Sequence, residues 1–354
     1  MKKVVLLFLL IFIPFRVNAL ATTASSAVLM DMDSGRVLYE KNKSDARLVA
    51  SITKIMTAVL AIENGNMDEE VTVGEEVLTM YGSNIYIELG EKMKLKDLLY
   101  GLLLRSGNDA AIVIATHIGG SEEKFVEMMN QKAQEIGMKN TVYKNSHGLD
   151  EVTQNYSSAY DMAKLSSYAN KLDVYREISG TKKWTLSTGS KSYVWHNRNK
   201  LLSLYEFATG GKTGYTPKAG RTLVTTATKD DLNLTAVTLN DGNEYDTHEA
   251  LYEYAFSKYK KYVIIDKDNF NVDNNFYKDR VYVNKSFIYP LSDDEVDDIK
   301  VVANIYKLDN YKNGNQVGEL KVNLGDKLLY KEPIYVKVNK SKSWWHKLIS
   351  LFSR

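Results

Sequence analysis

Cysteine is missing from all 354 residues, and that absence excludes a disulfide framework, a zinc ribbon, an iron–sulfur cluster and a thiol nucleophile. Any chemistry must rest on hydroxyls, amines, carboxylates or imidazoles. An excess of one charge is also missing. There are 46 Lys and Arg against 44 Asp and Glu, a net charge of +2, and no basic tract is dense enough to hold nucleic acid. His117, His147, His196, His248 and His346 are not at metal-ligand spacing, so neither a metal nor another cofactor is expected. The marked apolar run, Val4 to Phe15, falls short of the roughly 20 residues that cross a bilayer. The rest has the composition of a globular protein, with 44% hydrophobic and 25% charged residues. At about 150 residues per domain the length suggests two or three domains.

Lys2 and Lys3 precede that apolar run, and Ala19-Leu20-Ala21 after it has the small-x-small form that signal peptidase cuts. A secretory signal peptide over residues 1–21 is expected, against the alternative of an uncleaved anchor. Beyond it, two short apolar strands flanking a turn at Gly35 predict a hairpin. From Ile52 the apolar residues Ile55, Met56, Val59 and Ile62 recur at helical spacing and predict a buried helix ending at Asn64-Gly65. A polar Ser106-Gly107-Asn108 separates two further apolar stretches, Leu98 to Leu104 and Ala110 to Ile118. Arg221 to Thr228 and Leu232 to Leu239 predict a second hairpin, followed by a helix from Asp246 to Tyr259.

The text changes near Lys260. A main domain over 24–260 is expected to give way to a small β domain over 263–338, built of short β-type runs and polar turns. Residues 341–354 carry Trp344, Trp345, Leu348, Ile349, Leu351 and Phe352 on one helical face, with basic residues around it. This face is expected to lie on a membrane surface, the alternative being a helix docked on the β domain.

Candidate chemistry begins at Ser51-Ile52-Thr53-Lys54, where three-residue spacing puts a hydroxyl and an amine on one helix face. Ser-x-x-Lys recurs at Ser121, Ser179 and Ser257, so the pattern alone is weak. Ser51 differs in opening the most apolar helix, where a partly desolvated Lys54 would have the lowered pKa that a base needs near neutral pH. Two further elements follow in order, Ser106-Gly107-Asn108 and Lys212-Thr213-Gly214, the latter immediately before a predicted strand. Taken singly, each reads as a capping turn or an ordinary loop. Together they match the penicillin-binding motif set.

With these motifs, and with Asn145-Ser146-His147-Gly148-Leu149-Asp150, the chain closely resembles the serine D-Ala-D-Ala carboxypeptidases, the low-molecular-mass penicillin-binding proteins of peptidase family S11. The resemblance covers about Ala24 to Tyr259. It implies an α/β (α+β) fold of the penicillin-binding/β-lactamase-like transpeptidase type: a helical lobe and a five-stranded antiparallel sheet with the cleft between them, plus the C-terminal β domain. It implies that Ser51 is the nucleophile, Lys54 its base and Ser106 a proton relay to the leaving group. Asn108 would orient substrate, and Lys212 and Thr213 would attract the terminal carboxylate. Gly214 would let substrate approach the strand edge, and the backbone N–H groups of Ser51 and Tyr215 would form an oxyanion hole. The implied partners are peptidoglycan stem peptides, β-lactams as covalent inhibitors, and a membrane surface. The implied place is the extracytoplasmic face of the cell membrane or the cell wall, in peptidoglycan maturation and cell shape.

One departure is informative. The Glu-x-x-Leu-Asn segment whose Glu activates deacylating water in class A β-lactamases is absent between Ser106 and Lys212. β-Lactams are therefore expected to inhibit rather than to be hydrolysed, with Asp150 and Glu151 the first carboxylates to suspect if the expectation fails. His147 is expected to serve its loop. The readings left beside a carboxypeptidase are a β-lactamase, an acyl transferase of the same fold, and an inactive peptidoglycan-binding module.

Overall fold

A computed structural model describes residues 22–338, apart from 190, 278 and 279. The expected signal peptide and the expected amphipathic helix at 341–354 lie outside the described residues. Within them, no helix is long and apolar enough to cross a membrane.

The centre is a five-stranded antiparallel sheet. Its strand order is Val37–Lys41, Ser26–Asp31, Leu232–Leu239, Gly220–Lys229, Ala208–Thr216. Alternation sorts its residues between two faces. One row across the sheet runs Val28, Val237, Val224, Lys212, and the three valines of that row pack into the core shared with the helical lobe. Lys212 therefore shares the lobe-facing side of an otherwise apolar row. The opposite face carries Leu29, Leu234, Ala236 and Ala227, covered by Leu251, Tyr252 and Ala255 of the helix Glu244–Lys258.

The helical lobe is built around Lys54–Asn64. The eight residues Lys54 to Ala61 are all buried, which explains why this stretch is apolar all round rather than striped. A tighter 3-10 turn, Ala50–Thr53, leads into it, so the helix begins two residues later than the apolar periodicity suggests. The stretch around Leu98 to Leu104 is likewise not one regular helix. It is the helix Leu95–Tyr100 followed by a widened π turn, Gly101–Arg105. Such turns recur where a chain is re-aimed at a functional site.

Beyond residue 258, a two-stranded sheet (Tyr259–Ile265, Phe287–Ser292) stacks on a four-stranded one with the order 281–282, 327–336, 316–324, 299–305. Val317, Leu320, Val322, Ile334 and Val336 form a core of their own, and the rings of Phe287 and Tyr330 stack at 4.4 Å. Arg36 joins this part to the main sheet. Its guanidinium pairs with Glu295, donates to the carbonyl of Pro290, and lies 5.2 and 5.1 Å from the rings of Tyr259 and Tyr289.

Candidate active site

The turn Ala50–Thr53 and the first residue of the buried helix place Ser51 and Lys54 side by side, with Lys54 Nζ 3.0 Å from Ser51 Oγ. Two further oxygens face that nitrogen: Asn108 Oδ1 at 2.7 Å and the carbonyl of His147. Lys54 is fully buried. Burial first, and then the positive charge of Lys212, hold its amine well below the ordinary lysine range. A neutral amine has two hydrogens and one lone pair. Here the hydrogens go to Asn108 and His147, which leaves the lone pair to accept the Ser51 hydroxyl proton. This is the geometry of a general base.

Lys212 approaches from the sheet edge. Its Nζ donates to Ser106 Oγ at 3.0 Å and to the carbonyl of Thr213 at 2.6 Å. The side chain is only 1% exposed, and burial followed by the charge of Arg198 lowers its pKa to about 7. Ser106 ends the π turn in the left-handed region, at φ 65 and ψ 34. A non-glycine residue there is strained, as residues held in place for function often are.

Ser51, Ser106, Thr213, Gly214 and Tyr215 line one cavity of about 500 Å³. The strand Ala208–Thr216 is the last of its sheet, so alternate backbone N–H groups on its free side are available to a ligand. Gly214 is where that strand meets Ser51. A Cβ at this position would stand 2.9 Å from the backbone nitrogen of Ser51, closer than packed atoms tolerate. Gly148 performs the same service on the other side of the turn, since a Cβ there would come within 2.0 Å of the carbonyl oxygen of Ala50.

The residues expected from sequence thus come together, with one difference. Asn108 is 2% exposed and does not line the Ser51 cavity. Its carbonyl oxygen accepts from Lys54, and its amide nitrogen donates to the carbonyl of Tyr81 at 2.6 Å. Its first role in this geometry is to aim Lys54. Neither suspected carboxylate lines the cavity. Asp150 is buried and accepts the Thr216 hydroxyl at 2.5 Å, and Glu151 is exposed beside Tyr81.

Three features escape a motif search. Arg198 lines the cavity, donates to Ser83 Oγ at 2.8 Å, and lowers the pKa of both lysines. Asp109 is buried, and its carboxylate accepts the N–H groups of Ile85, Tyr86 and Ala110 at 2.7 to 3.0 Å. The Asn108 N–H donates to the carbonyl of Ser83 at 2.7 Å. The loop over residues 81–87, the roof of the cleft, therefore hangs from Asn108-Asp109. The sequence signal was that Asp109 follows the Ser-Gly-Asn motif directly. The third feature is His147, whose carbonyl holds Lys54 while its 7%-exposed imidazole lines a second cavity.

Known proteins with similar sequences and folds fit this geometry. The family described as D-alanyl-D-alanine carboxypeptidase, Peptidase_S11, matches residues 14–243. The chain is 39% identical over 254 residues to D-alanyl-D-alanine carboxypeptidase DacF of Bacillus subtilis, an alignment covering 69% of this chain and 65% of the relative. It is 33% identical over 286 residues to DacC of Escherichia coli, covering 76% of this chain and 70% of that one. The fold matches penicillin binding protein 5 from Haemophilus influenzae with a TM-score of 0.78 and 27% identity, covering 90% and 98% of the two chains. A Streptomyces K15 DD-transpeptidase variant matches with a TM-score of 0.63 and 30% identity, over 67% of this chain and 99% of that one.

Proposed function

The chain belongs to the D-alanyl-D-alanine carboxypeptidase family, and from that membership we infer that it is a serine carboxypeptidase that removes the terminal D-Ala from peptidoglycan stem peptides. The observation that carries this reading is the Lys54 amine, buried, surrounded by acceptors and 3.0 Å from Ser51 Oγ.

The steps follow from the residues. Lys54 takes the proton of Ser51 as Oγ attacks the carbonyl carbon of the penultimate D-Ala. The oxygen of that carbonyl becomes an anion, and the N–H groups of Ser51 and Tyr215 stabilise it. As the carbon–nitrogen bond breaks, the leaving amine needs a proton. The contact between Lys212 and Ser106, at 3.0 Å, provides a relay from an ammonium through a hydroxyl, and the terminal D-Ala departs. Thr213, Lys212 and the cationic Arg198 attract the substrate carboxylate. Water then attacks the acyl carbon and the ester bond to Ser51 Oγ breaks; Oγ takes back the proton held by Lys54, and the proton lost by the water restores the Lys212 ammonium, so the acid leaves and both lysines return to their starting states. A β-lactam acylates Ser51 by the same first step. With no carboxylate lining the Ser51 cavity beyond Glu244, which pairs with Arg221, its adduct is long-lived.

The residues up to about 260 form the catalytic domain in this reading, and 263–338 a separate β domain. The protein is exported, and residues 341–354 hold it to the extracytoplasmic membrane face. The test is D-Ala release from a peptide ending in D-Ala-D-Ala, measured beside Ser51→Ala. Release that disappears in the variant supports the reading, and release that persists in it, or none from the wild type, overturns it. A chain ended at residue 338 leaves the membrane fraction if the tail is the anchor and stays with it if the tail is not.

A further inference from the structure

Residues 22–25 lie against the strand end Leu239-Asn240 and the start of the helix Glu244–Lys258. The Ser25 N–H donates to the carbonyl of Leu239 at 3.0 Å, and Asn240 Nδ2 donates to Ser25 Oγ at 2.9 Å. Ala24 is fully buried. Thr22 Oγ1 donates to Thr247 Oγ1, in the first turn of that helix, at 3.4 Å, and the Thr22 carbonyl accepts from Lys41 Nζ at 3.0 Å. The chain is thus held in place as far back as Thr22, the residue that follows Ala19-Leu20-Ala21.

Asp241 meets this segment and is only 1% exposed. One of its carboxylate oxygens, Oδ1, accepts the Thr23 hydroxyl and, at 3.1 Å, the N–H of Asn243. The other, Oδ2, is buried and has no hydrogen-bond partner among the described residues. A buried acceptor without a donor is costly, more so on a charged group. The neighbouring cations are engaged elsewhere, Lys41 on the Thr22 carbonyl and Arg221 on Glu244.

Removal of a leader supplies the missing donor. Hydrolysis by a signal peptidase adds water across the Ala21–Thr22 peptide bond, leaving a carboxylate on Ala21 and an α-ammonium on Thr22. That nitrogen then carries three N–H donors and a charge, as a lysine ammonium does. Consecutive Cα atoms are about 3.8 Å apart, so with Thr23 already bonded to Oδ1 the Thr22 nitrogen is in reach of Oδ2.

We propose that Asp241 is the receptor for the amino terminus made by this cut, and that an ion pair between the Thr22 α-ammonium and Asp241 Oδ2 closes the mature fold. The uncut chain has an amide nitrogen at this place and cannot form the pair. The Asp241 N–H donates to the carbonyl of Arg221 at 3.0 Å, and Arg221 and Glu244 line the Ser51 cavity, so the pair steadies the strand and helix starts that carry both. Lys41 and the positive end of the helix Glu244–Lys258 oppose an ammonium here, which keeps the gain modest. The inference rests on the export reading, with cleavage after Ala21, and is independent of the carboxypeptidase chemistry.

The test compares two full-length forms, one beginning at Thr22 and one at Ala19, whose extra residues carry the ammonium away from Asp241. In the Thr22 form the α-amine, titrated by NMR of threonine nitrogen, should bind its proton about fivefold more tightly than an ordinary α-amine. At neutral pH the folded-to-unfolded ratio should be about fourfold higher than in the Ala19 form. The amine is raised in the fold, so this advantage is full below the ordinary α-amine range, about 7.7–8.0, and is lost as pH rises through the raised value. In Asp241→Asn, which keeps an oxygen for Thr23 and Asn243, both the tighter proton and the difference between forms should vanish. An ordinary amine in the Thr22 form, or a difference that survives in Asp241→Asn, overturns the pair and leaves the export reading standing. Sequencing the amino terminus of the exported protein should give Thr22 first; any other first residue overturns cleavage after Ala21 and the pair with it.

Discussion

The central sheet buries titratable groups on both of its faces, and the two faces treat them in opposite ways. On the face covered by Glu244–Lys258, His248 is fully buried, with Nδ1 at 2.6 Å from Thr225 Oγ1 and Nε2 at 3.1 Å from Thr238 Oγ1. Thr225 also meets the Tyr252 hydroxyl at 2.7 Å. Burial drives the His248 pKa down to about 3, so the ring is neutral and both its nitrogens are satisfied. On the lobe-facing side, Lys54 and Lys212 donate only to neutral oxygens. They lie close enough for one charge to depress the other. Stability alone does not favour two buried amines without a carboxylate partner. The closed network holds the fold, and the open one beside a cavity is arranged for chemistry.

The largest effect that separates the two faces is expected at Lys54. Lys54→Met should slow acylation by benzylpenicillin about a thousandfold, the range lost with a general base. Its thermal unfolding should stay close to that of the wild type, because the buried amine contributed little net stability. Acylation rates by intact mass and melting by circular dichroism check both halves. Lys212→Met should act on the same face through charge. With the Lys212 charge gone, Lys54 loses a proton less readily, so the rising limb of the acylation pH profile moves to higher pH. An unmoved limb would deny the coupling.

On the other face the ranking reverses. His248→Ala removes a packed ring, strands the Thr238 hydroxyl and leaves Thr225 only its Tyr252 partner, which costs about 2–4 kcal/mol in denaturant unfolding, while the folded fraction acylates at the wild-type rate. The pH dependence has a definite sign. His248 is depressed from 6.5 to about 3 in the fold, so between those values the unfolded chain binds a proton that the folded chain does not. Stability therefore falls as pH drops through that window, by up to about 1.4 kcal/mol per pH unit for each such group. His147, also lowered to about 3, adds to the slope, and His248→Ala removes one share of it.

The smallest effect is expected where the central sheet meets residues 259–295. Arg36→Met takes away a cation held over two rings and an ion pair to Glu295, worth about 1–2 kcal/mol. It should loosen residues 259–338, seen as faster amide exchange there, with acylation unchanged.

What could be read in the sequence follows the same division. Ser51, Lys54, Ser106 and Lys212 were legible because short spacings on a helix or at a strand start put fixed side-chain types on one face. The sheet's two hairpins and the buried helix were legible from apolar periodicity. Arg198 was not, because it follows a hairpin, Lys183–Ser187 with Ser192–His196, whose polar outer positions hide its alternation. Nor does anything local mark Arg198 as facing Ser83, 115 positions away in the chain. Asp109 was visible as a letter but not as an anchor, since its partners are backbone N–H groups that any residue at 85 and 86 would supply. The engagement of Asn108 with Tyr81 depends in the same way on where a distant loop returns.

The claim on which the account turns is that Ser51 is the hydroxyl made nucleophilic by the buried Lys54. Its most direct test is intact mass and peptide mapping after mixing residues 22–338 with benzylpenicillin, followed over hours. The expected result is one stoichiometric, persistent adduct on the peptide containing Ser51, absent in Ser51→Ala. An adduct mapped to another serine, or folded protein that neither retains nor hydrolyses the drug, would contradict it.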